Sequence, residues 1–311
     1  MIEAAAFGLA CGLIALGVGI ALVAVIRRAS AGSPPAPVLG LLVAAGTLAG
    51  VALVKRVPLA VVAGTVLVAA AGVIPVHRRG WTAAGAAAAV PGACVVAWGS
   101  GLRGPEWIEP VVAAAIVAGG WTLADLDRRA ATARLGLGPV LFAVTAAGIF
   151  ATTPDTERAL VLLIVAALTA VLAWPVTFAV LGRPGAYAVV ASTVWIVAVE
   201  GRGRTGAIAG GLACAGLLVA EPLGRVLVRS AGGALSKAGT ALRSGPLAVV
   251  ALAVVHAAIV AVASRVAGFE ATAGGALRIA GPLLGAATMV TAAVAWTDRS
   301  GGAARPGQEQ I

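Results

Sequence analysis

The chain has 311 residues and a mass of 30.1 kDa; hydrophobic residues make up 60%, charged residues 11%, and the mean hydropathy is +1.03. A water-soluble domain carries roughly 25% charged and 45–50% apolar residues, so this composition excludes an ordinary soluble fold, and its apolar content excludes disorder. The formal net charge of +10 does not point to nucleic acid, because the basic residues fall in short clusters between apolar runs, as they do in membrane proteins.

Those runs occupy about 4–26, 38–54, 58–76, 81–101, 108–124, 136–152, 159–181, 186–200, 205–221, 246–264 and 277–296. Most have the length of a hydrocarbon-spanning helix, roughly 17–25 residues at 1.5 Å each. The pattern predicts an all-α, polytopic transmembrane bundle of eleven helices with short loops, or ten if 186–200, the shortest run, does not cross. Met1 to Phe7 carry Glu3 and no basic residue, which argues against a cleaved signal peptide. Pro91 and Pro175 fall inside the fourth and seventh runs, where a bundle tolerates kinks. Trp81, Trp107, Trp195 and Trp296 fall near predicted helix ends, and indole rings favour the headgroup layer. Cys11, Cys94 and Cys214 stand singly in three different runs and are expected to be small buried hydrophobes. Small residues four apart, such as Gly206 and Gly210 or Gly211 and Ala215, suit close helix approach.

Basic residues set the orientation. With the N-terminus outside and eleven spans, the cytoplasmic side holds 14 of the 22 basic residues, Arg27, Arg28, Arg78, Arg79, Arg128 and Arg129 among them. The outer side holds the other eight, including Lys55 and Arg158, while seven of the twelve acids, Glu200 among them, fall outside. This asymmetry gives an N-out, C-in topology. Residues 1–296 then form one transmembrane domain and 297–311 a disordered cytoplasmic tail. The longest gap, 222–245, carries Arg225, Arg229, Lys237 and Arg243 without an acid, which suits the anionic inner leaflet of a bacterial cytoplasmic membrane. Residues 8–57 and 211–266 align as a parallel repeat: Pro37 matches Pro246, and Arg56-Val57 matches Arg265-Val266. Alignments of this kind arise readily among Ala/Val-rich helices, so the repeat is an expectation for the structure to test.

Few residues can carry chemistry. His256 lies near the middle of a predicted span, and an intramembrane ionisable group is a candidate for proton relay or substrate contact. A neutral imidazole bonded to a neighbouring helix is the competing structural role. Asp125 and Asp127, followed by Arg128 and Arg129, lie on the predicted inner face, where two acids could hold a divalent cation on a lipid diphosphate, or simply pair with the adjacent arginines. Asp155 and Glu157 sit in Thr153-Pro154-Asp155-Thr156-Glu157-Arg158, a turn and helix start in which they would cap free N–H groups and complement the dipole. Glu106 and Glu109 form a second outer acidic pair. Glu200 is expected to be an end-of-helix group snorkelling towards water beside Arg202 and Arg204.

No P-loop, dinucleotide-binding glycine pattern, HExxH, GxSxG or CxxC is present, so no cofactor or metal is implied. Three classes stay open. A secondary transporter, or a translocator of lipid or cell-envelope precursors, fits the span number, the kinks and His256. A non-catalytic subunit of an envelope complex fits the scarcity of buried polar groups and implies a membrane-protein partner. An intramembrane enzyme on a lipid-phosphate substrate fits the acidic pairs, and is disfavoured because the acids do not cluster further. Transport stands first.

Overall fold

In the computed structural model, residues 2–29, 39–73, 81–101, 108–132, 137–152, 156–173 and 181–200 are described. They are all-helical: α1 (Ile2–Ala29), α2 (Leu39–Val54), α3 (Leu59–Val73), α4 (Trp81–Gly99), α5 (Ile108–Thr132), α6 (Leu137–Thr152), α7 (Thr156–Ala173) and α8 (Arg183–Glu200). Each corresponds to one of the first eight apolar runs. The last three runs, Pro175, Gly206, Gly210, Gly211, Ala215, Cys214, the 222–245 gap, the second half of the repeat and the 297–311 tail lie outside the described residues.

Ala is the strongest helix former and Pro the weakest, and of the prolines only Pro91, on an exposed position of α4, sits deep within one of these helices. Boundaries are set by backbone groups. Pro58 opens α3, its carbonyl accepting from the N–H of Val61 at 3.0 Å and of Val62 at 3.4 Å. At the end of α4 the Ser100 N–H and hydroxyl both reach the Val96 carbonyl, and Gly101 turns the chain with φ 57°. The opening of α8 needs Gly182, whose φ of 73° is strained for any residue with a Cβ. Its carbonyl accepts from Ala186 at 2.7 Å, and the neighbouring Leu181 carbonyl accepts the Gly40 N–H at 3.1 Å. That bond satisfies one of the donors left free in the first turn of α2.

The helices alternate in direction. Gly40 near the start of α2 meets Gly185 near the start of α8; Gly72 near the end of α3 meets Pro184; Gly8 near the start of α1 meets Val161 near the start of α7; and Gly99 at the end of α4 meets Ala60 at the start of α3. One end of the bundle, here the first end, therefore collects the N-termini of α1, α3 and α7 and the C-termini of α2, α4 and α8. The second end collects their opposites.

Around this frame α1 packs on α2 and α7, α3 on α4, α4 on α5, α5 on α6 and α6 on α7. Helix α8 runs through the middle, against α2, α3 and α5, with edges on α4, α6 and α7. Every residue from Pro184 to Ala198 is buried. The shortest apolar run of the sequence is thus the axis of the bundle, and it is 18 residues long. Its polar residues lower its hydropathy, and a helix sheathed by protein has no need of a lipid-facing surface.

Two further expectations are corrected. Trp195 is fully buried on α8, not at a membrane surface, because its helix is internal. The exposed indoles among the described residues are Trp98 and Trp121. Cys94 is exposed and Cys11 half-buried; a side chain this small follows whichever face its helix turns inward.

Small residues mark the closest helix approaches, large apolar side chains such as Leu16, Ile116, Leu162 and Trp195 fill the rest of the interior, and further large aliphatic residues cover the outward faces. On α1, Ala4, Gly8, Gly12 and Ala15 point inward while Leu9, Leu13, Ile14 and Val18 are exposed. On α3, Gly64, Thr65 and Gly72 are buried while Leu59, Val62, Val66 and Leu67 face out. The segment Ile2–Leu22 is long and apolar enough to cross a membrane; Leu39–Val54, Leu59–Val73, Ala84–Gly99 and Ile108–Trp121 are apolar but shorter.

The backbone contacts make a sharp test. A Cβ on Gly185 would stand 2.5 Å from Gly40 Cα, and one on Gly40 would stand 2.6 Å from Gly185 Cα and Leu181 O. Neither backbone can yield, so Gly185→Ala is expected to cost about 3 kcal/mol, the upper end for overpacking. Gly17, with nothing within 4 Å, is the control: Gly17→Ala should be neutral or stabilise by up to about 1 kcal/mol. Thermal unfolding of the two purified variants checks both.

Candidate functional site on the central helix

The polar inventory of the interior is short. The hydroxyls of Thr47, Thr65, Thr169, Ser192 and Thr193 all donate to carbonyls one turn earlier in their own helices, at 2.7–2.9 Å. Such bonds hide the donor within the helix and leave acceptor lone pairs. On α8 these hydroxyls are joined by Tyr187 and Trp195, and by a charged residue at each end, Arg183 and Glu200. The central helix therefore carries more of the bundle's buried polar side chains than any other described element.

At the first end, Glu200 closes α8. Its carboxylate is 1% exposed and accepts a hydrogen bond from Arg158 Nη1 at 2.5 Å. The expectation of an exposed, snorkelling Glu200 is corrected here: the end of α8 is enclosed by neighbouring helices, and Arg158, in the first turn of α7, supplies the opposite charge. Burying either ion alone would cost several kcal/mol. The Nε of Arg158 is buried and has no hydrogen-bond partner.

Beside this pair, Lys55, which follows α2, lies 3.4 Å from Glu157, with the two side chains about one-third exposed. Glu157 also occupies the first turn of α7, where a negative charge complements the dipole. The four charged groups link α2, α7 and α8 at one end of the bundle. Chemically they form a lock of fixed charges whose inner pair is largely dry and whose outer pair is wet.

The sequence-derived candidates distribute unevenly over this frame. Glu157 belongs to the charged cluster. Asp125 and Asp127 lie on the last turns of α5, hence at the second end; their side chains are outside the described set. Asp155, Glu106 and His256 lie outside the described residues, and Glu109 is exposed in the first turn of α5. Among the described residues no group of three His, Cys, Asp or Glu side chains could hold a metal ion. Sequence reading placed Lys55, Arg158 and Glu200 on one side of the membrane but did not pair them. The only signal for it was their common side, since pairing depends on the lateral arrangement of α2, α7 and α8.

The two ion pairs should respond very differently to mutation. Glu200→Gln or Arg158→Met strands a buried charge and is expected to destabilise by about 3–5 kcal/mol. The double variant Arg158→Met/Glu200→Met should recover most of that loss. Lys55→Met should cost no more than about 1 kcal/mol, as partly exposed pairs do. A double-mutant cycle on thermal or denaturant unfolding reads the coupling. Comparison with protein-family models, with curated proteins and with solved structures finds no match, so a functional reading of this chain stands on its own residues.

Proposed function

We propose that the chain is a multi-span protein of a bacterial cytoplasmic membrane, a bundle of ten or eleven helices with the N-terminus outside. In this reading it moves a small molecule or a lipid-linked envelope precursor across the bilayer. The observation that carries the membrane part is the outward face of the bundle. Ile14, Val25, Leu53, Leu59, Val66, Val73 and Val171 are each more than half exposed. Soluble monomers rarely leave contiguous apolar patches beyond a few hundred Å², whereas hydrocarbon favours such a perimeter. Small residues at the closest helix contacts, such as Gly40 against Gly185 and Gly64 against Gly92, are also what draws membrane helices together in the absence of a hydrophobic drive between them.

The transport part rests on α8. A pathway in a helical bundle needs polar groups near its axis, and the axial helix is the one that carries them. The Arg158–Glu200 pair closes one end of it, and a closure that depends on one buried ion pair is reversible when the pair is solvated. Non-enzymatic action fits the candidate acids: Glu157 has a structural partner, and Asp125 and Asp127 stand at the opposite end of the bundle from it.

Topology is tested by cysteine labelling in a background with Cys11, Cys94 and Cys214 replaced by Ala. A membrane-impermeant maleimide should label Arg56→Cys in intact cells and Arg78→Cys only after permeabilisation. The reverse pattern overturns the orientation, and labelling of both in intact cells overturns the spans between them. For function, the protein is purified in mild detergent from its native host and everything retained is identified by mass spectrometry. Transport or translocation predicts a bound lipid or small molecule without a stoichiometric protein partner. A stoichiometric partner chain would replace this reading with that of a complex subunit.

A further inference from the structure

Helices α2 and α3 are joined by four residues, yet each packs on α8 and they scarcely touch one another. Two contacts fix their register. Gly40 of α2 meets Gly185, and Gly72 of α3 meets Pro184, with α2 parallel to α8 and α3 antiparallel. Seven residues bring a helix back almost to the same face after about two turns. Thr47, seven residues beyond Gly40, and Ser192, seven beyond Gly185, therefore stand level on the faces that α2 and α8 turn to each other. Thr65, seven residues before Gly72, stands at the same level on the face that α3 turns to α8. Trp195, eleven residues beyond Pro184 and so about three turns on, shares the face of Pro184 towards α3. A helical side chain leans back towards the N-terminus of its own helix, here towards the level of Thr65. Four buried polar side chains thus converge on the seam of three helices, halfway along the bundle.

Their hydrogen-bonding capacity is unbalanced in one direction. Thr47, Thr65 and Ser192 donate their hydroxyl protons to the carbonyls of Val43, Val61 and Val189 in their own helices, at 2.9, 2.8 and 2.9 Å. What each offers the seam is oxygen lone pairs. Trp195 is fully buried, and its indole N–H, which can only donate, has no acceptor. A buried donor left unpaired is uncommon in a native structure and marks a place for a further group. Among the described residues no charged one falls at this level; Arg183 and Glu200 lie more than two turns to either side of Ser192. An ion held there would be buried without a counter-charge, at a heavy desolvation cost. A neutral group that both accepts and donates suits the seam. A hydroxyl does so with one oxygen, accepting from the Trp195 N–H and donating to Thr65 or Ser192.

We propose that the seam of α2, α3 and α8 is a binding site for a small uncharged polyol, with Trp195 as donor and Thr47, Thr65 and Ser192 as acceptors. Entry requires α2 or α3 to part from α8. Because those two helices pack on α8 and scarcely on each other, either can move without breaking an interface with the other. Ala188, one turn before Ser192, adds no bulk at the seam. As a substrate class the polyol rests on the transport reading above; as a ligand of the seam it does not.

The test uses the full-length protein in mild detergent, isotope-labelled at the tryptophan indole nitrogens, with the indole N–H signals followed by NMR. Trp195→Phe identifies the Trp195 signal by its loss, and the remaining indole signals report that each variant is folded. Glycerol is the probe, and ethanolammonium is a cation of similar size that also bears a hydroxyl. Glycerol should move the Trp195 signal downfield, as a newly accepted hydrogen bond does, and saturate in the millimolar range. Thr65→Val and Ser192→Ala should each raise the midpoint about three- to tenfold, the range for one neutral hydrogen bond. Thr169→Val, which removes a buried hydroxyl of α7 away from the seam, should leave it unchanged. Ethanolammonium should bind more weakly by at least about tenfold. A Trp195 signal that glycerol does not move, as when water alone fills the seam, overturns the proposal. So does a shift that Thr65→Val and Ser192→Ala both leave undiminished, or ethanolammonium binding as tight as that of glycerol. Glycerol uptake into proteoliposomes, followed by light scattering, tests the transport reading separately. Uptake that Trp195→Phe slows supports site and transport together. A saturable Trp195 shift without uptake upholds the site and sinks transport of this solute class, whereas uptake without the shift overturns the site.

Discussion

Helix α8 reaches the centre of this bundle because two backbones touch at Gly40 and Gly185. Apolar side chains are nearly everywhere in the chain, so burial of hydrophobic area cannot say which face of which helix turns inward. Steric fit decides instead. Where Gly, Ala or a small hydroxyl residue sits, the neighbouring helix comes close and the dispersion contacts of two whole helices follow. Large aliphatic residues fill the space between these contacts, as Leu16, Ile116 and Leu162 do, and also cover the perimeter. Gly64 against Gly92 joins α3 to α4 by the same means, and Gly46 and Gly50 join α2 to α1.

Steric selection of this kind explains which features were legible in the sequence. The first eight apolar runs were readable as helices because charge, Pro and Gly punctuate them, but charge did not always end a helix: α5 continues past its run, through Asp125 to Arg129, to Thr132. The alternation of directions follows from short connections. The lateral order was not readable. Gly46 and Gly50, or Gly8 and Gly12, are four apart like dozens of other small-residue pairs in a chain with 42 glycines, and nothing local marks the pairs that make contact. For the same reason the run 186–200 looked weakest. Its Tyr, Ser, Thr and Trp lower its hydropathy, and hydropathy measures fitness for lipid, not for a protein interior.

The candidate site shows the same division. That Lys55, Glu157, Arg158 and Glu200 share one end was readable from the positions of the runs. That Glu200 is dry and Glu157 wet was not, because the difference lies in how many helices surround each carboxylate. Helix α8 bears a cation at its positive end and an anion at its negative end, the reverse of what its dipole favours. At the Glu200 end a neighbouring helix supplies the compensation through Arg158. At the Arg183 end the C-terminal turn of α3 comes against Pro184 at Gly72, so a helix end of opposite polarity lies beside the start of α8.

A central helix that is also the last of the eight described helices to be synthesised imposes an order on assembly. Helices α1 to α7 leave the ribosome before the element they enclose exists, so the faces of α2, α3 and α5 that will hold α8 must wait unpaired or hold temporary partners. Among the described residues, the contacts of α8 at Gly40 and Gly72 are therefore long-range in sequence and form only after α1 to α7 exist, and long-range closure of this kind slows folding and leaves surfaces exposed meanwhile. A chain interrupted before Gly185 would leave a cleft lined by small residues, into which another helix could pack.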